Sequence, residues 1–593
     1  MTQFTRLFEP GVIGKMELKN RLAMAPMGTH AWDSEGNVTD RMIDYYVERA
    51  KGGVGLIIAC SSAILPESRA DRVSTYDDRF IPGLRRLSRA IQENGAKAAM
   101  QVVHHGRLLS YLRHHVVRPE EVEAISASPV PNASDGVAPR EASKEDLARI
   151  VQGFAEAARR IKDAGFDAVE IHGAHGYLIT QFLSPLTNRR TDEYGGTVEK
   201  RARFACEVIA AARKKLGRAF PISFRVSGSD FLPGGISLED TMRQAPMFVE
   251  AGADALHISA SASESTHWQF LCYLFPDGAT AHLAEAVRKV AKVPVIAVGK
   301  IGNPALAEQI LAEGKADFVA MGRALLADPY LPSKAREGKA DEIRRCIYCN
   351  NCMGLEGNPP MVMPEGRRCT VNPSLLRERE FALKLAPEAK RVMVIGGGLA
   401  GMEAARVAAE RGHRVSLCEK DDTLGGQWRI ATQQERKETF VTLIDDLRRG
   451  LEKAGVGVFL GKEATAELVK NERPDAVVIA TGAVPRSLDV PGTSGDNVVQ
   501  AVDVLIGKAK VGQRVVVVGG RAVGMETALS LAKKGKMVSL VTMHRLGENG
   551  KEMERNIFRT LRDGLIEHGV YLYPDSTVRE IREDGVYVVK DRD

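Results

Sequence analysis

Cys346, Cys349 and Cys352 follow one another at intervals of three, and Cys369 closes the group, so four of the eight cysteines fall within 24 residues. Three thiolates from a tight loop and a fourth from a returning segment supply the four ligands of a [4Fe-4S] cluster. Zinc would accept the same four, and on ligand chemistry both readings stay open. A disulfide framework fits poorly. Cys60, Cys206, Cys272 and Cys418 are scattered through apolar runs, and no secretory signal precedes them. A second reactive group lies upstream. His172, His175 and Tyr177 are spaced so that three hydrogen-bond donors can converge on one oxygen, which suits an electrophilic carbonyl.

These groups need elements to position them. Eight short apolar runs alternate with helix-like segments: Arg21 to Pro26, Gly55 to Cys60, Lys97 to His104, Ala168 to His172, Pro221 to Val226, Ala255 to Ser259, Val293 to Val298 and Phe318 to Met321. That alternation predicts an α/β fold, a (β/α)8 TIM barrel with reactive groups on the loops after each strand. Polar residues stand at those places: Met27, Gly28 and Thr29; Gln101, His104, His105 and Arg107; the His172 to Tyr177 group; Arg225; Gly299 and Lys300; Gly322 and Arg323. The last two pairs suit a phosphate, which loops after the seventh and eighth barrel strands commonly hold.

Length and composition set the outer limits. A chain of 593 residues has room for about three or four domains. A net charge of +6 spread without single-sign blocks gives no nucleic-acid footprint. The first residues lack an apolar core, and no window offers the roughly 18 apolar residues of a membrane span, so a cytoplasmic protein is expected. Its partners would be small molecules, and a homo-oligomer is left open.

The run from Glu170 through Tyr177 to Gly196, with Ala25-Pro26-Met27 before it, resembles the Old Yellow Enzyme family of FMN barrels. The resemblance implies that His172 and His175 grip a substrate carbonyl and that Tyr177 supplies a proton. It also implies FMN contacts at Pro26, Met27, Cys60, Gln101, Arg225, Lys300, Gly322 and Arg323. Gly28 stands where many relatives carry a flavin-tuning Cys or Thr, so that hydrogen bond must come from backbone or be absent.

Past the cysteines, Leu375 to Phe381 reads as a charged helical stretch within a joint. Then Gly396, Gly398 and Gly401 form a glycine turn between strand and helix, with Glu419 ending the next strand. This is a dinucleotide fingerprint in its proper setting: the glycines let backbone approach a pyrophosphate, and Glu419 can accept from a ribose hydroxyl. A second copy follows at Gly519 and Gly524, with Arg521 in place of the middle glycine, which is expected to crowd the turn. No acid follows the next strand, and Arg545 tilts the reading from NADH toward NADPH. The pair resembles the nested FAD/NAD(P)H-binding disulfide-reductase-like fold. In that fold a late strand and a Gly-Asp loop complete the FAD domain. Neither follows Ile581, so the expectation is a truncated C-terminus or compromised FAD binding.

Over its whole length the chain resembles the iron-sulfur flavoenzymes that include 2,4-dienoyl-CoA reductase, enoate reductases and trimethylamine dehydrogenase. The implied domains are 1–335 for FMN and substrate, 336–390 for the [4Fe-4S] segment, 391–500 for FAD and 501–593 for NAD(P)H. The cysteine spacing resembles that of the amine dehydrogenase, but Gly28 stands at or near the position where that enzyme attaches its flavin through a cysteine, and the Leu424-Gly425-Gly426-Gln427 run looks like the reductase branch. The implied function is NAD(P)H-dependent reduction of an activated C=C bond in an enoate, enone or enoyl thioester. Electrons would run from NAD(P)H through FAD, the cluster and FMN. Amine dehydrogenation and a non-enzymatic electron-transfer role are the alternatives. His267, on the loop after the sixth strand, is a second candidate proton donor.

Overall fold

The eight apolar runs form strands β1 (Leu22–Met24), β2 (Leu56–Ala63), β3 (Lys97–Val103), β4 (Ala168–Gly173), β5 (Ile222–Ser227), β6 (Ala255–Ser259), β7 (Val295–Ala297) and β8 (Phe318–Met321). Each pairs in parallel with its neighbours, and β8 pairs with β1, so the sheet closes into the expected barrel. Helices cover the outside, and the strands are therefore buried at nearly every position instead of alternating. Local chemistry starts several of these helices. Ser143 and Ser237 each form a capping box with the acid three residues on, Asp146 and Asp240. The structure, a computed structural model, describes residues 4–109, 123–133, 135–354, 367–544, 546 and 553–590.

The barrel interior is layered. A hairpin of Gly11–Ile13 with Met16–Leu18 plugs the amino-terminal end, where Ile13, Met16 and Leu18 pack against Ala168, Ala255 and Phe318. Gly11 is required there, since a Cβ would lie 2.5 Å from the Phe318 ring. Above this floor the inward positions become polar: Gln101, Glu170, Ser223 and His257 are all buried. Two residues further along the strands stand His172, Arg225 and Ser259, at the carboxyl ends where loops open.

Two compact units divide at Glu380 and Phe381. The stretch expected to be helical after Leu375 is a series of turns, with Leu376 in the left-handed region at φ 59°. Tertiary ion pairs override its helix propensity. Glu378 meets the fully buried Arg49 at 2.5 Å, and Arg379 meets Asp44 at 2.8 Å, both partners on the barrel helix Asp40–Lys51.

The second unit holds two parallel sheets. The first orders β11 (Gly457–Phe459), β10 (Arg414–Cys418), β9 (Arg391–Ile395) and β12 (Ala476–Ile479); the second orders β13 (Arg514–Val518), β14 (Met537–Val541) and β15 (Tyr571–Tyr573). β9 and β13 each run into a glycine turn and a twelve-residue helix, Leu399–Glu410 and Ala522–Lys533. A buried Lys437–Glu526 ion pair at 2.7 Å links these two halves. Among the described residues, no helix is long and apolar enough to cross a membrane.

Candidate active site

Past the end of β4 two consecutive residues, His175 (φ 65°) and Gly176 (φ 76°), are left-handed, which turns the chain back over the barrel mouth. The turn gathers the predicted triplet. His172 Nε2 and His175 Nδ1 are 3.3 Å apart, and the His172 and Tyr177 rings lie 5.0 Å apart edge to face. Ser259 Oγ is 2.7 Å from His175 Nε2, and the His175 backbone N–H donates to Ser227 Oγ at 3.2 Å. Burial, followed by the charge of neighbouring groups including Arg225, holds both imidazoles well below their ordinary pKa. Both are therefore neutral near pH 7, and each keeps one ring N–H to donate.

Arg225 is buried, gives one N–H to Ser259 Oγ at 3.3 Å, and leaves its Nε without a hydrogen-bond partner. Such an orphan is what a bound acceptor would complete. Beneath it, the carboxylate of Glu170 accepts from Gln101 Nε2 (2.8 Å), Ser223 Oγ (3.1 Å) and His257 Nδ1 (2.8 Å). Burial alone would raise Glu170, but His257 and Arg225 hold it below the usual carboxylate range, so an anion sits under the guanidinium.

Arg72 carries no motif in sequence, yet its guanidinium spans the site. Its Nε donates to His105 Nε2 at 2.9 Å, Nη1 to Ser61 Oγ at 2.5 Å and Nη2 to the Tyr177 phenol at 3.0 Å. Arg367, also unanticipated, donates to the Gly28 carbonyl, to the Cys352 carbonyl at 2.6 Å and lies 2.8 Å from His30 Nε2. The His267 ring lies among aromatic rings, 6.3 Å from that of Phe275 and 6.2 Å from that of Trp268.

The residues implied for FMN gather at the same mouth, with two changes of detail. Met27 sulfur lies 3.1 Å from where a Cβ on Gly322 would stand, Cys60 N–H donates to the Tyr46 phenol at 2.8 Å, and Pro26 follows the β1 end that pairs with β8. Lys300 sends its ammonium to the Phe275 and Tyr273 carbonyls and to Asp277 at 3.3 Å. Arg323 donates to Leu271 O at 2.8 Å and to Asn350 Oδ1, between Cys349 and Cys352. Both cations thus face the cysteine loop, stacking over the Tyr348 ring at 5.0 and 4.9 Å. The backbone of the turn after β7 is left-handed at two consecutive residues, Gly299 at φ 133° and Lys300 at φ 51°.

All four predicted ligand cysteines, Cys346, Cys349, Cys352 and Cys369, line one cavity together with Arg323 and Asn350. Among the described residues no three His, Cys, Asp or Glu side chains converge as around a single metal ion. The ligands of a cubane each bind a different iron and so stand further apart, and four thiols around one cavity fit that larger group.

In the second unit Gly396 has φ 107°, and a Cβ on Gly401 would lie 1.9 Å from the Gly396 carbonyl; both positions require glycine. Gly398 caps the following helix with open space where its Cβ would be, a bare cradle for a pyrophosphate. Gly426 (φ 49°) comes up against Gly398, and the Gln427 side chain donates to Ala483 O. Glu419 uses its carboxylate locally, accepting from the Gly397 and Asp421 N–H groups at 2.6 and 2.9 Å. The second turn repeats the first: Gly519 has φ 116°, and a Cβ on Gly524 would lie 1.7 Å from the Gly519 carbonyl. Arg521 caps its helix at φ −88°, against −70° for Gly398, so the expected crowding does not alter the turn's course. Thr542 takes the place of Glu419, and Arg545 lies outside the described residues.

Residues 6–342 match the model of the NADH:flavin oxidoreductase / NADH oxidase family, and residues 390–593 that of the pyridine nucleotide-disulphide oxidoreductases. An NADH oxidase of Thermoanaerobacter brockii is 42% identical over 99% of this chain and 90% of that protein. A cinnamate reductase of Clostridium sporogenes is 37% identical over 91% of this chain and 83% of its own length. Among solved structures, a 2-naphthoyl-CoA reductase complex is similar at TM-score 0.90 and 31% identity, covering 99% of this chain and 90% of that one. Histamine dehydrogenase from Rhizobium sp. 4-9 is similar at TM-score 0.86 and 28% identity, covering 99% and 87%.

Proposed function

Because this chain belongs to the NADH:flavin oxidoreductase / NADH oxidase family, a family of flavoprotein oxidoreductases, we propose that it reduces an activated C=C bond with NAD(P)H. The observation that carries this reading is the buried, hydrogen-bonded pair of His172 and His175 at the barrel mouth, with the Tyr177 ring edge to face against His172. Two neutral imidazole donors can hold a carbonyl oxygen in the ground state and hold it more strongly as negative charge builds there. Tyr177, fixed by Arg72, is the group typed to deliver a proton to the α-carbon. FMN would be held by Pro26, Met27, Gly28, Cys60, Gln101, Arg225 and the turns at Lys300 and Gly322, and when bound supplies hydride to the β-carbon. Arg225 offers its unpartnered Nε to an acceptor there, while Glu170 beneath it keeps the guanidinium in place.

Cys346, Cys349, Cys352 and Cys369 would hold a [4Fe-4S] cluster, whose chemistry is to pass electrons singly. Gly396, Gly398, Gly401, Gly426 and Gln427 would hold FAD, and Gly519, Gly524 and Arg521 would hold NAD(P)H, so that electrons run NAD(P)H to FAD to cluster to FMN. The histamine dehydrogenase likeness supplies a second reading, amine oxidation. Arg72 and Arg225 both act on His172, and a substrate ammonium would face two guanidinium groups there, which favours the reductase. An anaerobic screen of enoates, enones and enoyl thioesters that follows NAD(P)H oxidation tests the proposal. Reduction of the bound flavin by amines, with no alkene turned over, would replace it.

A further inference from the structure

The site also bears on which alkene it takes, a question that rests on the ene-reduction reading. Hydride addition to a ketone or thioester alkene puts one negative charge on the carbonyl oxygen, and neutral donors suffice to hold it. A free 2-enoate already carries a charge, so hydride at its β-carbon builds a second on the same carboxyl group. A site that reduces free acids therefore needs a fixed cation beside that group. His172 and His175 cannot supply it, because burial keeps them neutral. Arg225, paired in charge with Glu170 beneath it, turns its open Nε to the acceptor assigned above to FMN.

Arg72 remains, and its geometry is suited to the task. Its guanidinium touches the Tyr177 phenol at 3.0 Å and the His105 ring at 2.9 Å, and its charge is felt at His172, His30 and His105. It comes from the chain just after the helical turn Pro66–Asp71, far in sequence from the triplet it contacts. A planar guanidinium set beside the proton donor, with Nη2 on the Tyr177 phenol, matches a carboxylate better than a lone ammonium could. We propose that Arg72 seats the carboxylate of a free, unesterified 2-enoate, making this enzyme a reductase of anionic substrates in preference to esters, thioesters or amines. In the balanced step the β-carbon would take the hydride that bound, reduced FMN supplies, the C=C π pair would move to the α-carbon and carboxyl group, and Tyr177 would give the α-carbon its proton.

The test compares cinnamate with its methyl ester, using the holoenzyme and its Arg72→Gln and Arg72→Lys variants. Expected is a fall of roughly 10- to 100-fold in the acid-to-ester ratio of kcat/KM for Arg72→Gln, the worth of a hydrogen bond to a charged group. Arg72→Lys should restore part of it. An unchanged ratio, with both substrates slowed alike, would mean that Arg72 only positions Tyr177 and would overturn the seat. Titration of the flavin spectrum with saturated 3-phenylpropionate separates this result from failure of the ene-reductase reading. If no alkene is reduced but the carboxylate still binds wild type at least tenfold more tightly than Arg72→Gln, the seat stands without the reaction. Equal binding to both proteins sinks it.

Discussion

The barrel mouth and the glycine turns of the second unit are functional in opposite ways. At the mouth, chemistry would be carried by polar side chains, most of them buried, each held by another: Tyr177 by Arg72, His175 by Ser259, Glu170 by Gln101, Ser223 and His257. At the turns it is carried by missing side chains, which leave backbone N–H groups open to a ligand. The first kind of site tolerates backbone adjustment but fails when one partner loses its donor or acceptor. The second is indifferent to much of its side-chain chemistry and fails when a single Cβ is added. Arg521 illustrates the point, since it occupies a position at ordinary φ and leaves the turn as it is.

The sharpest way to break this comparison is to disconnect the two kinds of site. Cys349→Ala should leave FAD reducible by NAD(P)H and FMN reducible by dithionite while NAD(P)H-driven turnover falls to background in stopped-flow and steady-state assays. Undiminished turnover without the cluster would refute the electron route. Next in size is Tyr177→Phe, which keeps the ring but removes the proton. Reoxidation by substrate should slow by roughly 10²–10⁴-fold with FMN reduction unchanged. Should Tyr177→Phe run at the wild-type rate while His267→Ala does not, the acid is His267.

A third pair contrasts Gly524→Ala with Arg521→Gly. The first drives a methyl into the Gly519 carbonyl, 1.7 Å away, and should destabilise the turn by about 1–3 kcal/mol and raise the KM for NAD(P)H at least tenfold. The second should shift that KM less than about tenfold and flatten its salt dependence. Equal effects from both would deny that bare backbone is what matters.

The smallest effect is graded. Burial holds His104 at about 4 instead of 6.5. The unfolded chain then takes up a proton that the folded barrel refuses, so stability is lost as pH falls from about 6.5 toward 4, by roughly 1.4 kcal/mol per pH unit for this one group. His105, His172 and His175 are shifted the same way by burial. Calorimetry across that range should show the melting temperature dropping, less steeply in His104→Asn, which keeps an acceptor for the Gly106 N–H but cannot titrate.

Much of this was legible because it is local. Strands buried on both faces read as unbroken apolar runs, and a His-x-x-His-x-Tyr group on a loop after such a run announces its own proximity. The four cysteines and the two glycine turns carry their spacing with them. Arg72, His257, Ser259 and Arg367 had no such signal: each meets its partners across tens to hundreds of residues, through a closure that only the folded barrel makes. Leu376 misled in the other direction, since a charged, leucine-rich stretch has good helix propensity and the ion pairs that unwind it, Arg49–Glu378 and Arg379–Asp44, are tertiary.

The hairpin plug at the amino-terminal end makes the barrel a vessel with one door. With Ile13, Met16 and Leu18 packed against Phe318 and the alanine floor, the amino-terminal end is closed and a ligand reaches His172 and His175 from the opposite end. Reactant and product then queue at the same threshold, and the second cannot be admitted until the first has gone. Product should accordingly compete with the oxidising substrate, and raising that substrate should relieve the inhibition in steady-state assays.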